Sequence, residues 1–198
     1  MGVTIYIVNR AKSNFGIMKG IEGYWRIDDF IKSQWGDACY NHIDYCGLEP
    51  IRPMKNFGYF CTPINTLTFA ATGGDGVHFG FLKLSDKIPN DGPVVMTVPM
   101  SGDVHNVIVA ENFIEFLSLG YYVGWFSVEQ IVYNLDEAIS YFSKQDDEIS
   151  EEESNFLKMI HKEYSIKHFP LSKVRLEHLK SKYFNLLEFE SGDSSEIR

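Results

Sequence analysis

Long apolar runs, paired cysteines and clusters of basic residues are missing from this chain, and each absence narrows what it can be. No uninterrupted apolar stretch approaches the roughly 20 residues that a membrane-spanning helix needs, so no membrane segment is expected. The start, MGVTIYIVNRAK, has no basic region ahead of an apolar core, and Tyr6 stands where a myristoylation signal needs Ser or Thr. A cytoplasmic location is the expectation. The 3 cysteines, Cys39, Cys46 and Cys61, are odd in number and share no repeated spacing. That pattern argues against a secreted disulfide framework and for reduced thiols. With 18 Lys and Arg against 27 Asp and Glu, the chain carries a net charge of -9. Phosphate recognition needs clustered cations to displace counterions, so a nucleic acid is not an expected partner. An acidic body suits a basic protein partner, although acidity of this size also serves ordinary solubility.

What is present is a core-building composition: 44% of the 198 residues are hydrophobic and 15% aromatic, enough for one domain with a substantial appendage. The clearest local signal is Pro63 to Leu84, PINTLTFAATGGDGVHFGFLKL. Leu67, Phe69 and Ala71 alternate with Thr68, Ala70 and Thr72, and after the turn Leu82 and Leu84 alternate with Phe81 and Lys83, as half-buried strands require. Asp75-Gly76 is a hairpin signal, because both central positions of a type I′ turn need positive φ. Pairing around it sets Phe69 near Leu82 and Leu67 near Leu84. A loop widened to Gly73–Gly76 slides the register by two and keeps every side chain on its face.

Elsewhere, Val3 to Val8 reads as an edge strand, and Asp28 to Cys39 as a helix with Phe30, Ile31 and Trp35 on one side. Pro50, Pro53 and Gly58 are expected to break the chain before the hairpin. Two more strands are expected at 93–98 and 104–109, then a helix over Glu111 to Leu119 whose Phe113, Phe116 and Leu117 share a face, with Gly120 as its left-handed stop. From Ser127 the pattern turns helical. Ser127 with Gln130 reads as a capping box ahead of one unbroken stripe, Val128, Ile131, Val132, Leu135, Ala138, Ile139 and Phe142. Ser150 with Glu153 opens a second helix lined by Phe156, Leu157, Ile160 and Tyr164. Ser172 caps a third, with Leu176, Leu179 and Tyr183 inward. The acidic run Asp146 to Glu153 reads as a solvated lead into a helix dipole or as a site for a basic partner. Strands concentrated centrally and helices later predict an α+β fold: an antiparallel sheet packed against helices, with a helical C-terminal extension. The expected division is a core over 1–126, the extension over 127–190 and a flexible tail over 191–198.

The segments TPINTLTFAATGGDGVHFGFL, DGPVVMTVP and VIVAENFIEFLSLG together resemble the core of the SUKH superfamily, also called SMI1/KNR4. Gly73, Gly74 and Gly76 correspond to its glycine-rich turn, Phe79 and Phe81 to its aromatic strand, and Val94 and Val95 to the next strand. Phe113, Phe116 and Leu117 correspond to its helix. The resemblance covers roughly Thr62 to Gly120. The family's usual Leu-Pro segment has no counterpart here, and the helices after Ser127 lie outside its usual core. What the resemblance implies is binding without catalysis, either as an immunity protein that neutralises a toxin, often a nuclease, or as a regulatory interaction module.

Reactive constellations are sparse. Cys39, His42, Cys46 and the more distant Cys61 offer zinc ligands in type, but the paired short knuckles of a closed site are missing, so buried thiols and no metal are expected. The glycines of TGGDG lead into a strand without Lys, unlike a phosphate loop, and no cofactor is expected. His78 or His105 with Asp75 or Asp103 would be the minimum for a small hydrolase, which is the alternative function. A homo-oligomeric regulatory module is another, and the sequence leaves the oligomeric state open. For partner binding, the candidate residues are Asp75, His78, Tyr121, Tyr122 and Trp125, with Phe126 beside them. The competing reading of the aromatic group is a plug between sheet and C-terminal helices that leaves at least one tyrosine exposed.

Overall fold

The computed structural model describes residues 20–36, 45–143 and 149–190. The expected strand at Val3 to Val8, the candidate ligands Cys39 and His42, the acids Asp146, Asp147 and Glu148, and the tail 191–198 lie outside the described residues. Five strands, β1 (Glu49–Lys55), β2 (Thr66–Ala71), β3 (His78–Leu82), β4 (Val94–Thr97) and β5 (Asn106–Ala110), form one antiparallel sheet in the order β1-β2-β3-β4-β5. The helices are α1 (Glu22–Trp35), α2 (Phe113–Leu119), α3 (Gln130–Tyr133), α4 (Leu135–Phe142), α5 (Glu151–Tyr164) and α6 (Lys173–Tyr183). The fold is α+β, as the sequence pattern indicates.

The hairpin turn follows from its residues. Asp75 (φ 49°) and Gly76 (φ 72°) both take positive φ, and the Val77 N–H donates to the Gly74 carbonyl at 3.1 Å to close the turn. Beyond it the expected facing fails. Ala70 opposes Phe79, but Thr68 opposes Gly80, so Phe69 is an extra residue and the register slips by one. Leu67 then opposes Phe81 and Thr66 opposes Leu82, which flips the inward set, and Leu84 is left 59% exposed. The bulge has a packing reason: it holds the Phe69 ring 4.6 Å from Phe81 and 5.3 Å and 5.4 Å from Phe113 and Phe116 of α2. Each such pair adds about 0.5–1.5 kcal/mol beyond area burial.

Strands β3 and β4 are buried on both faces, which is why VVMT reads as a continuous apolar run. On one face Phe79, Phe81, Val94, Met96 and Val109 pack with α1, α2, α4 and α5. On the other, Leu82, Val95 and Ile108 meet Leu179 and Tyr183 of α6 and Leu187. The first cluster draws residues from both sides of position 126, including Ala138, Phe142, Phe156 and Ile160. Helix α6 is also clamped by charge. Arg175 donates to Glu115 at 2.6 Å and to Glu111 at 2.9 Å, Tyr183 Oη donates to Glu111 at 2.8 Å, and Lys182 pairs with Glu111 as well.

Several expected boundaries move for identifiable reasons. Helix α1 begins at Glu22 and buries Tyr24, Ile27 and Ile31, while Phe30 is 48% exposed. Gly23 lies within it, and Tyr164 packs against this glycine so closely that a Cβ would lie 2.8 Å from the ring. The Tyr164 hydroxyl accepts from the Tyr24 N–H at 2.5 Å and donates to the Gly20 carbonyl at 3.0 Å, fixing the helix start. Pro50 and Pro53 fall within β1 rather than ending it, because β1 is an edge strand, where a missing N–H costs little. Ser127 does not cap. A 3-10 turn over Phe126–Glu129 leads into α3, and Asn134 interrupts the stripe by capping α4, accepting from the Glu137 N–H at 3.2 Å. The Ser150–Glu153 capping box and the Ser172 cap are in place. Gly120 follows α2 with an ordinary φ of -82°, not a left-handed one.

Candidate functional site

His78 is 1% exposed, in a polar row across the sheet where His78, Thr97 and Asn106 lie side by side on β3, β4 and β5. The segment before β2 closes over this row. The Thr97 hydroxyl donates to Asn106 Oδ1 at 2.8 Å, and Asn106 Nδ2 donates to the Cys61 carbonyl at 2.9 Å. His78 Nδ1 lies 2.7 Å from the Gly76 carbonyl, which can only accept, so Nδ1 carries the proton. Nε2 therefore accepts, from the Thr62 hydroxyl at 3.2 Å. Burial holds the imidazole below its ordinary pKa and so favours this neutral form, partly offset by the bond to Gly76, which favours the protonated one. Phe57 and Tyr59 cover the ring at 4.9 Å and 5.7 Å. His78 thus shapes the hairpin from beneath and meets a partner only through what it supports.

His105 is placed in a comparable way. Its Nδ1 lies 3.2 Å from the Val98 carbonyl and 3.1 Å from Ser101 Oγ, so it is again a donor, and Phe60 stands edge-on to it at 5.2 Å. Neither ring hydrogen-bonds a carboxylate among the described residues, and the two expected Asp partners, Asp75 and Asp103, are not brought to them.

The aromatic group divides. Trp125 is fully buried; its Nε1 donates to the Phe116 carbonyl at 3.1 Å and its ring lies between Phe116 and Phe156, so it plugs the junction of sheet and later helices. Tyr121 and Tyr122 stay half-buried, against the imidazoles of α5 and the loop after it. Tyr121 stacks on His161 at 4.2 Å, and Tyr122 lies 4.7 Å from His168. Burial depresses the His161 pKa, opposed by a hydrogen bond to the Tyr121 backbone, and its Nε2 is buried without a hydrogen-bond partner among the described residues.

Asp75, exposed at the hairpin tip, is brought to residues that the sequence reading did not single out. Glu129 and Tyr133 lie within reach of its charge. Burial first, and Asp75 second, raise the Glu129 pKa, while burial, Glu129 and Asp75 raise that of the Tyr133 phenol. Tyr59 leans over the same tip, where a Cβ on Gly76 would meet its ring and hydroxyl at 2.7 Å. The Glu49 carboxylate sits beside Gly73, 2.4 Å from where a Cβ would be. Phe126 shares a face with Glu129, since residues three apart eclipse in a 3-10 turn. Tyr59 is 42% exposed, Tyr133 53% and Phe126 57%, so aromatic surface rather than charge alone faces solvent here. Neither Asp75 nor Glu129 has an ion-pair partner among the described residues. The signal was present in the sequence as the outer side of the 128–142 stripe, where Phe126, Glu129 and Tyr133 recur at three and four residues.

Cys46 and Cys61 are buried, the Cys46 thiol lying 3.7 Å from the Glu153 carbonyl, and no group of three or more metal-ligating side chains forms among the described residues. No helix among those residues is long and apolar enough to cross a membrane. The chain matches no family model, no curated protein and no solved structure.

Proposed function

We propose that this protein is a non-catalytic binding module of the immunity type, which neutralises a basic, nuclease-like toxin in the cytoplasm by covering it. The observation that carries the reading is the hairpin tip, where Asp75 stands exposed within electrostatic reach of Glu129 and Tyr133 and the rings of Tyr59, Phe126 and Tyr133 face solvent. Exposed aromatic residues supply contact area at low entropic cost, and a surplus of negative charge raises the rate of encounter with a cationic surface. The net charge of -9 acts in the same direction over longer range. Support also comes from the resemblance of Thr62 to Gly120 to the SUKH core. The glycine turn and Phe79, Phe81, Phe113 and Phe116 that carry that resemblance are the residues that build the turn and the aromatic core beneath it. The hydrolase alternative rests on His78 and His105, whose Nδ1 protons are committed to carbonyl oxygens.

The test is direct. Nuclease-type toxins encoded beside the gene for this chain are produced with and without it, and complex formation is read by co-purification and sizing, protection by survival of the producing cells. Stoichiometric binding with restored survival is the expected result. A protein that neither binds nor protects when supplied in excess ends the proposal, and a self-assembled species alone in the sizing experiment favours the homo-oligomeric module instead.

A further inference from the structure

We propose that α6, with the 3-10 turn over Phe184–Leu186 and Leu187 behind it, is a displaceable arm: it occupies a helix-binding surface on the sheet face lined by Leu82, Val95 and Ile108, from which a partner helix of the same basic, amphipathic chemistry displaces it. What the hairpin tip meets has no bearing on this surface.

The arm has the chemistry of a ligand for the surface it covers. Helix α6 carries Lys173, Arg175, Lys180 and Lys182 against a single acid, Glu177, in a chain whose net charge is -9. Its inward side, Arg175, Leu176, Leu179, Lys182 and Tyr183, follows helical spacing. The cations meet acids just after β5 and on α2: Arg175 donates to Glu115 at 2.6 Å and to Glu111 at 2.9 Å, and Lys182 pairs with Glu111. Leu179 and Tyr183 meet Leu82, Val95 and Ile108. Uncovered, that face is an apolar strip bordered by two carboxylates, which fits a helix with apolar residues at i and i+4 and Arg or Lys beside them. An acidic helix would set carboxylate against carboxylate there.

The attachment is shallow. Leu171, just before α6, and Leu176, in its first turn, reach the larger core, whereas Leu179, Tyr183 and Leu187 form a separate small cluster with the sheet. The Arg175 and Lys182 side chains are 27% and 49% exposed, so water and salt compete for their ion pairs. At the far end the Ile64 N–H donates to the Glu188 carbonyl at 2.8 Å, Asn65 Nδ2 to the Leu186 carbonyl at 2.8 Å, and the Glu188 N–H to Asn65 Oδ1 at 3.1 Å. A helix of 11 residues is marginal in isolation, so α6 stays helical because it is docked. Elements with few buried apolar contacts open while the rest of a fold stays closed, and the opposite face of the sheet keeps its own core when the arm leaves.

Hydrogen exchange of the full chain in increasing urea reads the arm directly. Amides of residues 177–187 are expected to exchange at least about tenfold faster than those of β3 and with a shallower dependence on urea, the mark of an opening smaller than global unfolding. A second measurement adds an unlabelled synthetic peptide of residues 171–190 to the isotopically labelled Arg175→Met and wild-type chains. Saturable shifts are expected at Val95, Ile108, Glu111 and Glu115 of the variant, with affinity at least about tenfold higher than for wild type, whose tethered arm competes at about millimolar effective concentration. The same peptide carrying Arg175→Glu and Lys182→Glu is expected not to bind. Lys182→Met, which leaves Arg175 in place, takes over if the spectra show Arg175→Met unfolded. Residues 177–187 that exchange together with β3 at one urea slope overturn the arm. A variant that binds neither peptide, or both equally, overturns the helix-binding surface. Either result leaves the toxin-binding reading standing, and failure to bind a toxin leaves the arm standing.

Discussion

Replacing Gly120 with alanine is expected to destabilise the protein even though the backbone there suits any residue. With φ -82° and ψ 16°, an alanine at 120 incurs no conformational strain, and by the unfolded-state argument alone it would stabilise by about 0.4–1 kcal/mol. The opposing effect is steric. A Cβ at 120 would lie 2.4 Å, 2.6 Å and 2.7 Å from three ring atoms of Trp125. Carbon atoms prefer about 3.5–4.0 Å, so the ring would have to move by roughly 1 Å. Trp125 is fully buried, tied through Nε1 to the Phe116 carbonyl at 3.1 Å and flanked by Phe116 and Phe156. Overpacking against such a ring costs about 1–3 kcal/mol, which leaves a net loss of about 1–2 kcal/mol. For a chain of this size that lowers Tm by about 2–8 °C. Urea unfolding followed by far-ultraviolet circular dichroism measures it without depending on tryptophan fluorescence. In a Trp125→Phe background the smaller ring leaves room, and the penalty of the alanine is expected to fall by about 1 kcal/mol or more in a double-mutant cycle. A neutral or stabilising Gly120→Ala, or a penalty identical in both backgrounds, would show that contact with the tryptophan is not why glycine stands there.

Asn134→Ala removes the cap of α4 and is expected to cost about 1 kcal/mol, whereas Ser127→Ala, at the site that only looks like a cap, should change stability by less than about 0.5 kcal/mol; urea midpoints compare the two. Arg175→Met strips the cation from Glu115 and one of two cations from Glu111, which keeps Lys182, and is expected to cost about 2 kcal/mol, measured the same way. Lys182, Arg175 and Tyr183 together hold the Glu111 carboxyl down at about 2. Its contribution to stability is therefore complete above the ordinary carboxylate value and is lost as pH falls from there toward about 2. A carbon-detected titration of Glu111 should move upward in Arg175→Met, and an unmoved titration would contradict the clamp. His161, depressed by burial, binds its proton less readily folded than unfolded, so stability declines as pH drops through the ordinary histidine range. His161→Phe keeps the stack on Tyr121 and should flatten the stability profile between about pH 7 and 5; an unchanged slope would count against the assignment.

The same contrast runs through the fold. The positions of β2 to β5, the positive-φ turn at Asp75-Gly76, the Ser150 and Ser172 caps and the inward stripes of α5 and α6 were legible, because each depends on interactions within a few residues. The bulge at Phe69 was not, since it answers to the rings of Phe113 and Phe116, more than forty positions away in the chain. Gly120 reads as a stop, yet it and Gly23 are small because an aromatic ring, Trp125 at the one and the distant Tyr164 at the other, lies where a side chain would be. Of the candidate site residues, Asp75 is exposed as a binding residue must be. His78 and Trp125 are buried, because the loop before β2 covers one and α5 packs against the other.

By itself, then, the amino-acid sequence determined the acidic balance, the class of fold, the turn and the capped starts of α5 and α6, all of them set by composition or by short-range backbone chemistry. Tertiary structure alone decided which carboxylates and rings share a surface. Asp75, Glu129 and Tyr133 come within electrostatic reach of one another only through the tertiary fold, and proximity between segments over fifty residues apart is a property of packing, which no local pattern encodes.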